Sequence, residues 1–144
     1  EILQLPQTDV HYPPALRTFL RDDAPAQIAA LGNLDLLASP RLALFSSICC
    51  PGNLILQTYD LAQNLRRQGI TVIGGFHAPM ERETLAILLR GKQGVILCPA
   101  RNIGAKSAHT YAEPLAQGRL LILSPFSDKQ TRITAETSVA RNRF

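Results

Sequence analysis

His77 and Glu81 stand four residues apart just past two glycines, in Gly74-Gly75-Phe76-His77-Ala78-Pro79-Met80-Glu81. An imidazole and a carboxylate at that spacing can face one crevice and hold or move a proton there. The glycines allow a ligand or a neighbouring segment to approach the backbone closely. A plainer reading is also open: Glu81 satisfies a helix start and His77 is a solvated loop residue. A second cluster, Ser46-Ser47-Ile48-Cys49-Cys50-Pro51-Gly52-Asn53, ends at a helix N-terminus. Small hydroxyls beside free backbone N–H groups can receive a phosphate. The segment is neither a GxGxxG nor a Walker loop, and a simple turn with Asn53 as the N-cap fits it equally. Arg101 can grip a phosphate bidentately, and Ser124 and Phe126 offer a hydroxyl and an aromatic face suited to stacking a base. Solvation of Arg101 and core cover by Phe126 are the competing readings.

Cys49, Cys50, Cys98 and His77 are zinc-type ligands. Adjacent cysteines seldom both serve one tetrahedral site, and no C-x₂-C spacing occurs. Cysteines acting as small buried apolar residues explain them better. No metal and no cofactor are expected. His11, His77 and His109 lack partners of the kind a Ser/His/Asp arrangement needs, and no paired carboxylates occur, so no catalytic residue is assigned.

All these candidates need a scaffold that brings strand ends together. Short apolar runs at Leu42–Phe45, Ile70–Ile73, Val95–Cys98 and Leu120–Leu123 suit strands buried on both faces of a parallel sheet. Helical spacing fills Asn53–Gln68, stopped by Gly69, and Pro79–Arg90, stopped by Gly91. Pro114 must fall in a first turn or break the third connection. Thr131–Phe144 supplies a fourth, with Ile133, Ala140 and Phe144 on one stripe. The alternation predicts an α/β, Rossmann-like doubly wound parallel sheet in a single domain, with helices on both faces. Ligands of such sheets bind at the carboxyl ends of the strands, where the candidates fall. Residues 1–40 read as a proline-rich lead-in with one short helix, Ala15–Arg21, and 41–144 as the Rossmann-like domain. Four strands leave one sheet edge uncovered, so the domain is expected to be incomplete at its C-terminus.

The 144 residues are 46% apolar and 18% charged, enough for a real core and too ordered in pattern for wholesale disorder. No apolar run approaches the ~18–20 residues of a membrane span. Three cysteines make no even disulfide framework, which fits a reducing cytoplasm. The formal charge of +4 is concentrated: residues 101–144 hold seven Lys/Arg against three Asp/Glu, while residues 1–100 balance. A basic flank is compatible with a polyanionic partner.

Over residues 11–144 the chain resembles the DNA-processing protein DprA (Smf) family, in a divergent short form. His11-Tyr12-Pro13 with Leu16 and Ala24-Pro25 resembles the family's YP..L....D.P approach; Leu42–Gly52, with the helix and Gly69 after it, resembles its first strand and loop. Ile73-Gly74-Gly75-Phe76 stands where the family has VSGLA, Gly118–Pro125 is similar to its G-LLSE-P stretch, and Arg141-Asn142-Arg143 matches its RNR motif. The family's GSR turn is Phe45-Ser46-Ser47 here, without the arginine, and GID..AH becomes Pro79-Met80-Glu81-Arg82-Glu83-Thr84-Leu85. The resemblance implies a cytoplasmic, non-enzymatic homodimer. It would bind single-stranded DNA and deliver it to a RecA-type recombinase during DNA uptake (natural transformation). The binding edge would be bordered by Arg101, Lys106, Arg141 and Arg143. Two alternatives remain. The lysine-decarboxylase-like phosphoribohydrolases carry PGGxGTxxE, partly echoed by Ile73–Glu81 without its proline, third glycine and threonine; a nucleotide-binding sensor is the other.

Overall fold

The computed structural model describes residues 1–144. Two strands lie inside the lead-in, Leu3–Pro6 (β1) and Gln27–Gly32 (β2), on either side of the helix Pro14–Leu20 (α1). They pair antiparallel, with Leu5 opposite Ile28. The sequence reading gives this region no strand. Proline ends β1, where an edge strand can spare the ladder bond, and the two alanines of β2 carry little strand preference of their own. Burial compensates, because Ile28, Ala29, Ala30 and Leu31 are all inside.

After a 3₁₀ turn at Leu34–Leu37 come four strands: Arg41–Leu44 (β3), Thr71–Gly74 (β4), Val95–Leu97 (β5) and Leu120–Ser124 (β6). They pair parallel in chain order, β3 with β4, β4 with β5 and β5 with β6. β2 then pairs antiparallel with the far side of β6, Ala30 opposite Leu123, giving one sheet ordered β1-β2-β6-β5-β4-β3. The α/β Rossmann-like class is as expected. β3 is an uncovered edge, with Arg41, Leu42 and Ala43 exposed.

The connecting helices are Gly52–Gln68 (α2), Pro79–Leu88 (α3), the pair Ala105–Thr110 (α4) and Ala112–Ala116 (α5), and the C-terminal Ala135–Arg141 (α6). Gly69 closes α2 in a left-handed turn at φ 68°, where glycine is least strained. Asn53 is not the cap of α2: Pro51 holds that position, Gly52 is the first helical residue, and no side chain caps the end. Tyr111 interrupts the third connection, so Pro114 falls in the first turn of α5, where its missing N–H costs nothing. Thr134 and Thr137 form a reciprocal capping box at the start of α6.

Both sheet faces are covered, by different parts of the chain. Leu65 of α2, Leu85 and Leu88 of α3, and Leu115 of α5 pack on Val72, Val95, Leu97, Leu120 and Ile122. On the other face Tyr12, Leu16 of α1 and Leu34, Leu36 and Leu37 pack on Ile28, Ile96, Leu121 and Leu123. Leu88 is fully buried, and removing such a side chain typically costs about 2–5 kcal/mol. This double packing holds β3 to β6 in place and sets the positions of the loops at their carboxyl ends.

Candidate functional site

The candidate residues lie at the carboxyl ends of β4 and β6, in the loops after β3 to β6, in the first turns of α2, α3 and α4, and at the end of α6. Glu81 is the organiser. It sits in the first turn of α3, 3% exposed, with no cation beside it. One carboxylate oxygen accepts the Ser46 N–H at 2.9 Å and the other accepts the His77 N–H at 3.0 Å. The β3–α2 loop and the β4–α3 loop are thereby tied to one side chain. The helix-start alternative for Glu81 is partly realised, since His77 stands one residue before Ala78, the N-cap of α3. The bond to Ser46 is the part local spacing could not reveal. The His77 ring itself is exposed and joins no acid.

Gly74 and Gly75 are buried, and the reason at Gly75 is Arg141: a Cβ on residue 75 would overlap the guanidinium. Arg141 is 8% exposed, donates Nε–H to Asn142 Oδ1 at 2.9 Å and Nη1–H to the Cys98 carbonyl at 3.4 Å. Arg141 is therefore not an open phosphate grip. Asn142 is absent from the sequence-level candidates; only its place between two arginines marked it. Phe76 follows with φ 48°, a left-handed conformation unusual for an aromatic, and its ring lies in the core at 5% exposure. It offers no face to a ligand.

The Ser124 hydroxyl is also committed. Its side chain is buried and donates to the Arg101 carbonyl at 2.7 Å, fixing the β5 exit to the β6 exit. Phe126, for which the sequence leaves a stacking face and core cover both open with core cover preferred, is half-buried, and its N–H donates to Ser124 Oγ. Ser47 Oγ accepts the Cys49 N–H at 3.2 Å, so the β3–α2 loop is held by local bonds, with Gly52 and Asn53 exposed at its end. Arg101 is half-buried near Tyr111; Lys106 on α4 and Arg143 after α6 are exposed. None of these three cations pairs with a carboxylate.

The cysteines depart from the buried reading. Cys49 is exposed, and Cys50 and Cys98 are half-buried, all as free thiols. Cys49 and Cys50 fall on a loop, which short-range pattern alone does not separate from a strand end. At Cys98 desolvation pushes the thiol from 9.0 up to about 12, against the opposing pull of Arg141. It stays protonated at neutral pH and is a poor nucleophile or metal ligand there.

The fold and its site define a class: a Rossmann-like α/β domain with a loop-lined, cation-bordered carboxyl edge. A family model, DNA recombination-mediator protein A, matches residues 4–144, and the chain belongs to that family. Among solved structures it is similar to DNA processing protein A (DprA) from Streptococcus pneumoniae, at TM-score 0.76 and 21% identity over 99% of this chain and 50% of that one. It is also similar to DNA processing protein A from Helicobacter pylori, at TM-score 0.71 and 20% identity over 99% of this chain and 63% of that one. The Helicobacter structure is described as giving insight into a unique single-stranded DNA binding mode. The chain spans half to under two thirds of these proteins' lengths. No curated protein matches it. No helix is long and apolar enough to cross a membrane.

Proposed function

We propose that this chain binds single-stranded DNA along the carboxyl edge of its sheet. In this reading it acts in the cytoplasm as a homodimer and passes the strand to a RecA-type recombinase during DNA uptake. Family membership supports the DNA reading, and one observation carries it to this edge. Arg101 follows β5, Lys106 lies on α4 and Arg143 follows α6, each without a carboxylate partner, on a chain whose basic excess lies after residue 100. Unpaired cations of this kind neutralise phosphates and release counterions. Two or three contacts per subunit give weak binding, and pairing two subunits raises avidity by joining two such edges. The non-enzymatic part of the reading is supported by Glu81: the residue is 3% exposed and each carboxylate oxygen accepts a backbone N–H, the environment of a group that ties two loops together.

Fluorescence anisotropy with a labelled oligo-dT at two salt concentrations tests it. Affinity should rise with oligonucleotide length and fall with salt, by ~0.7 in log–log slope for each phosphate neutralised. No binding at low salt would refute the proposal.

A further inference from the structure

The second sheet face holds a cavity that the DNA reading does not use. It has a volume of about 160 Å³ and lies between α1, the 3₁₀ turn and α6. Leu16, Ile28, Leu37 and Leu123 are among the apolar side chains of its wall, and two guanidiniums, Arg41 and Arg141, complete it. Each arginine donates only to neutral acceptors. Arg41 reaches the carbonyls of Leu37 and Ser39, and Arg141 reaches Cys98 and Asn142. The single ion pair of the chain is His11 with Asp9, and neither residue lines the cavity. Arg141 is thus more than nine-tenths buried with no counter-charge. An ionised group so placed costs several kcal/mol unless an anion is brought to it.

We propose that this cavity binds a small amphipathic carboxylate, a single ring or short branched chain, with its anion set against Arg41 and Arg141. Size and chemistry both select this class. An apolar cavity of about 150 Å³ holds one benzene ring, so a whole nucleotide does not fit inside. Apart from the arginines the wall is mainly hydrocarbon, so it offers little to the hydrogen-bonding edge of a base. Apolar burial supplies the affinity and charge complementarity the selectivity. The inference is independent of DNA binding at the strand exits.

The test is titration of the purified chain with phenylacetate, followed by methyl NMR and calorimetry. Phenylacetamide serves as the neutral counterpart and thymidine 5′-monophosphate as the nucleotide. Phenylacetate should bind with a Kd of about 0.1–1 mM, reasonable for ~10 non-hydrogen atoms, and should shift the methyls of Leu16, Ile28, Leu37 and Leu123. The amide should bind at least about tenfold more weakly, because it lacks the charge that the guanidiniums meet. Ala15 is exposed at the cavity wall, so Ala15→Trp should block the site while leaving the melting temperature in place. Arg41 is exposed as well, and Arg41→Gln should weaken phenylacetate but not phenylacetamide. Equal binding of acid and amide, stronger binding of the nucleotide, unchanged binding in Ala15→Trp, or no binding of the acid at 10-fold above ~1 mM would each overturn the proposal.

Discussion

The guanidinium of Arg141 occupies the space that a side chain on Gly75 would need. This contact joins the C-terminal helix to the exit of β4, two places 66 positions apart in the sequence that meet in the fold. It turns a glycine that reads as room for a ligand into room for the chain's own arginine.

Gly75→Ala should therefore destabilise the fold by about 1–3 kcal/mol, the usual cost of overpacking a filled interior. Adding Arg141→Ala should recover part of that loss, because the two changes share one contact. Urea unfolding of the two single variants and the double variant checks it. Strict additivity would mean the two residues do not meet.

Glu81→Gln keeps the size of the side chain but replaces one acceptor oxygen with a donor. One of the Ser46 and His77 N–H groups then loses its partner, at a cost of about 1–3 kcal/mol. Hydrogen exchange should quicken at those two amides more than at Val72 or Ile96 in the sheet. Uniform quickening everywhere would point to global loosening instead.

The Cys98 thiol gives stability a pH dependence with a definite sign. Its pKa rises from 9.0 to about 12 on folding, so the unfolded chain ionises first as pH increases. Its contribution is intact below pH 9 and drains away between about 9 and 12. Tyr12 and Tyr111, also raised by burial, drain in the same direction at higher pH. Moving from pH 8 to pH 10 should cost the native protein about 1 kcal/mol more than it costs Cys98→Ala. Urea midpoints at the two pH values measure the difference; equal losses would remove Cys98 from the account.

Arg101→Glu should weaken oligo-dT binding several-fold and flatten its salt dependence, with melting unchanged, because the Arg101 contact to Ser124 is made by its backbone carbonyl. Arg141→Ala should lower stability as well, since that side chain is buried. Anisotropy paired with thermal melting separates the two effects.

The four parallel strands were legible because each is a continuous apolar run, and Gly69 marked the end of α2 by the conformation it adopts. β1 and β2 were not, because their identity comes from partners: Ala29 and Ala30 become strand residues by lying beside Ser124 and Leu123. The site divides in the same way. That Glu81 lies in a first helical turn follows from local spacing, but its bond to Ser46 depends on β3 and β4 being neighbours. Phe76 and Arg141 read as ligand groups because sequence shows residue type without burial.

The antiparallel pairing of β2 with β6 also sets an order of events during synthesis. β2 is made about a hundred residues before its partner Ser124, which at ~5–20 residues per second is roughly 5–20 s. Until then Ile28 and Leu31 have only β1 beside them, and the rest of the sheet is missing. The nascent β1–β2 pair is a solvent-exposed apolar edge in waiting, and the last strand of the sheet is the one that shelters it.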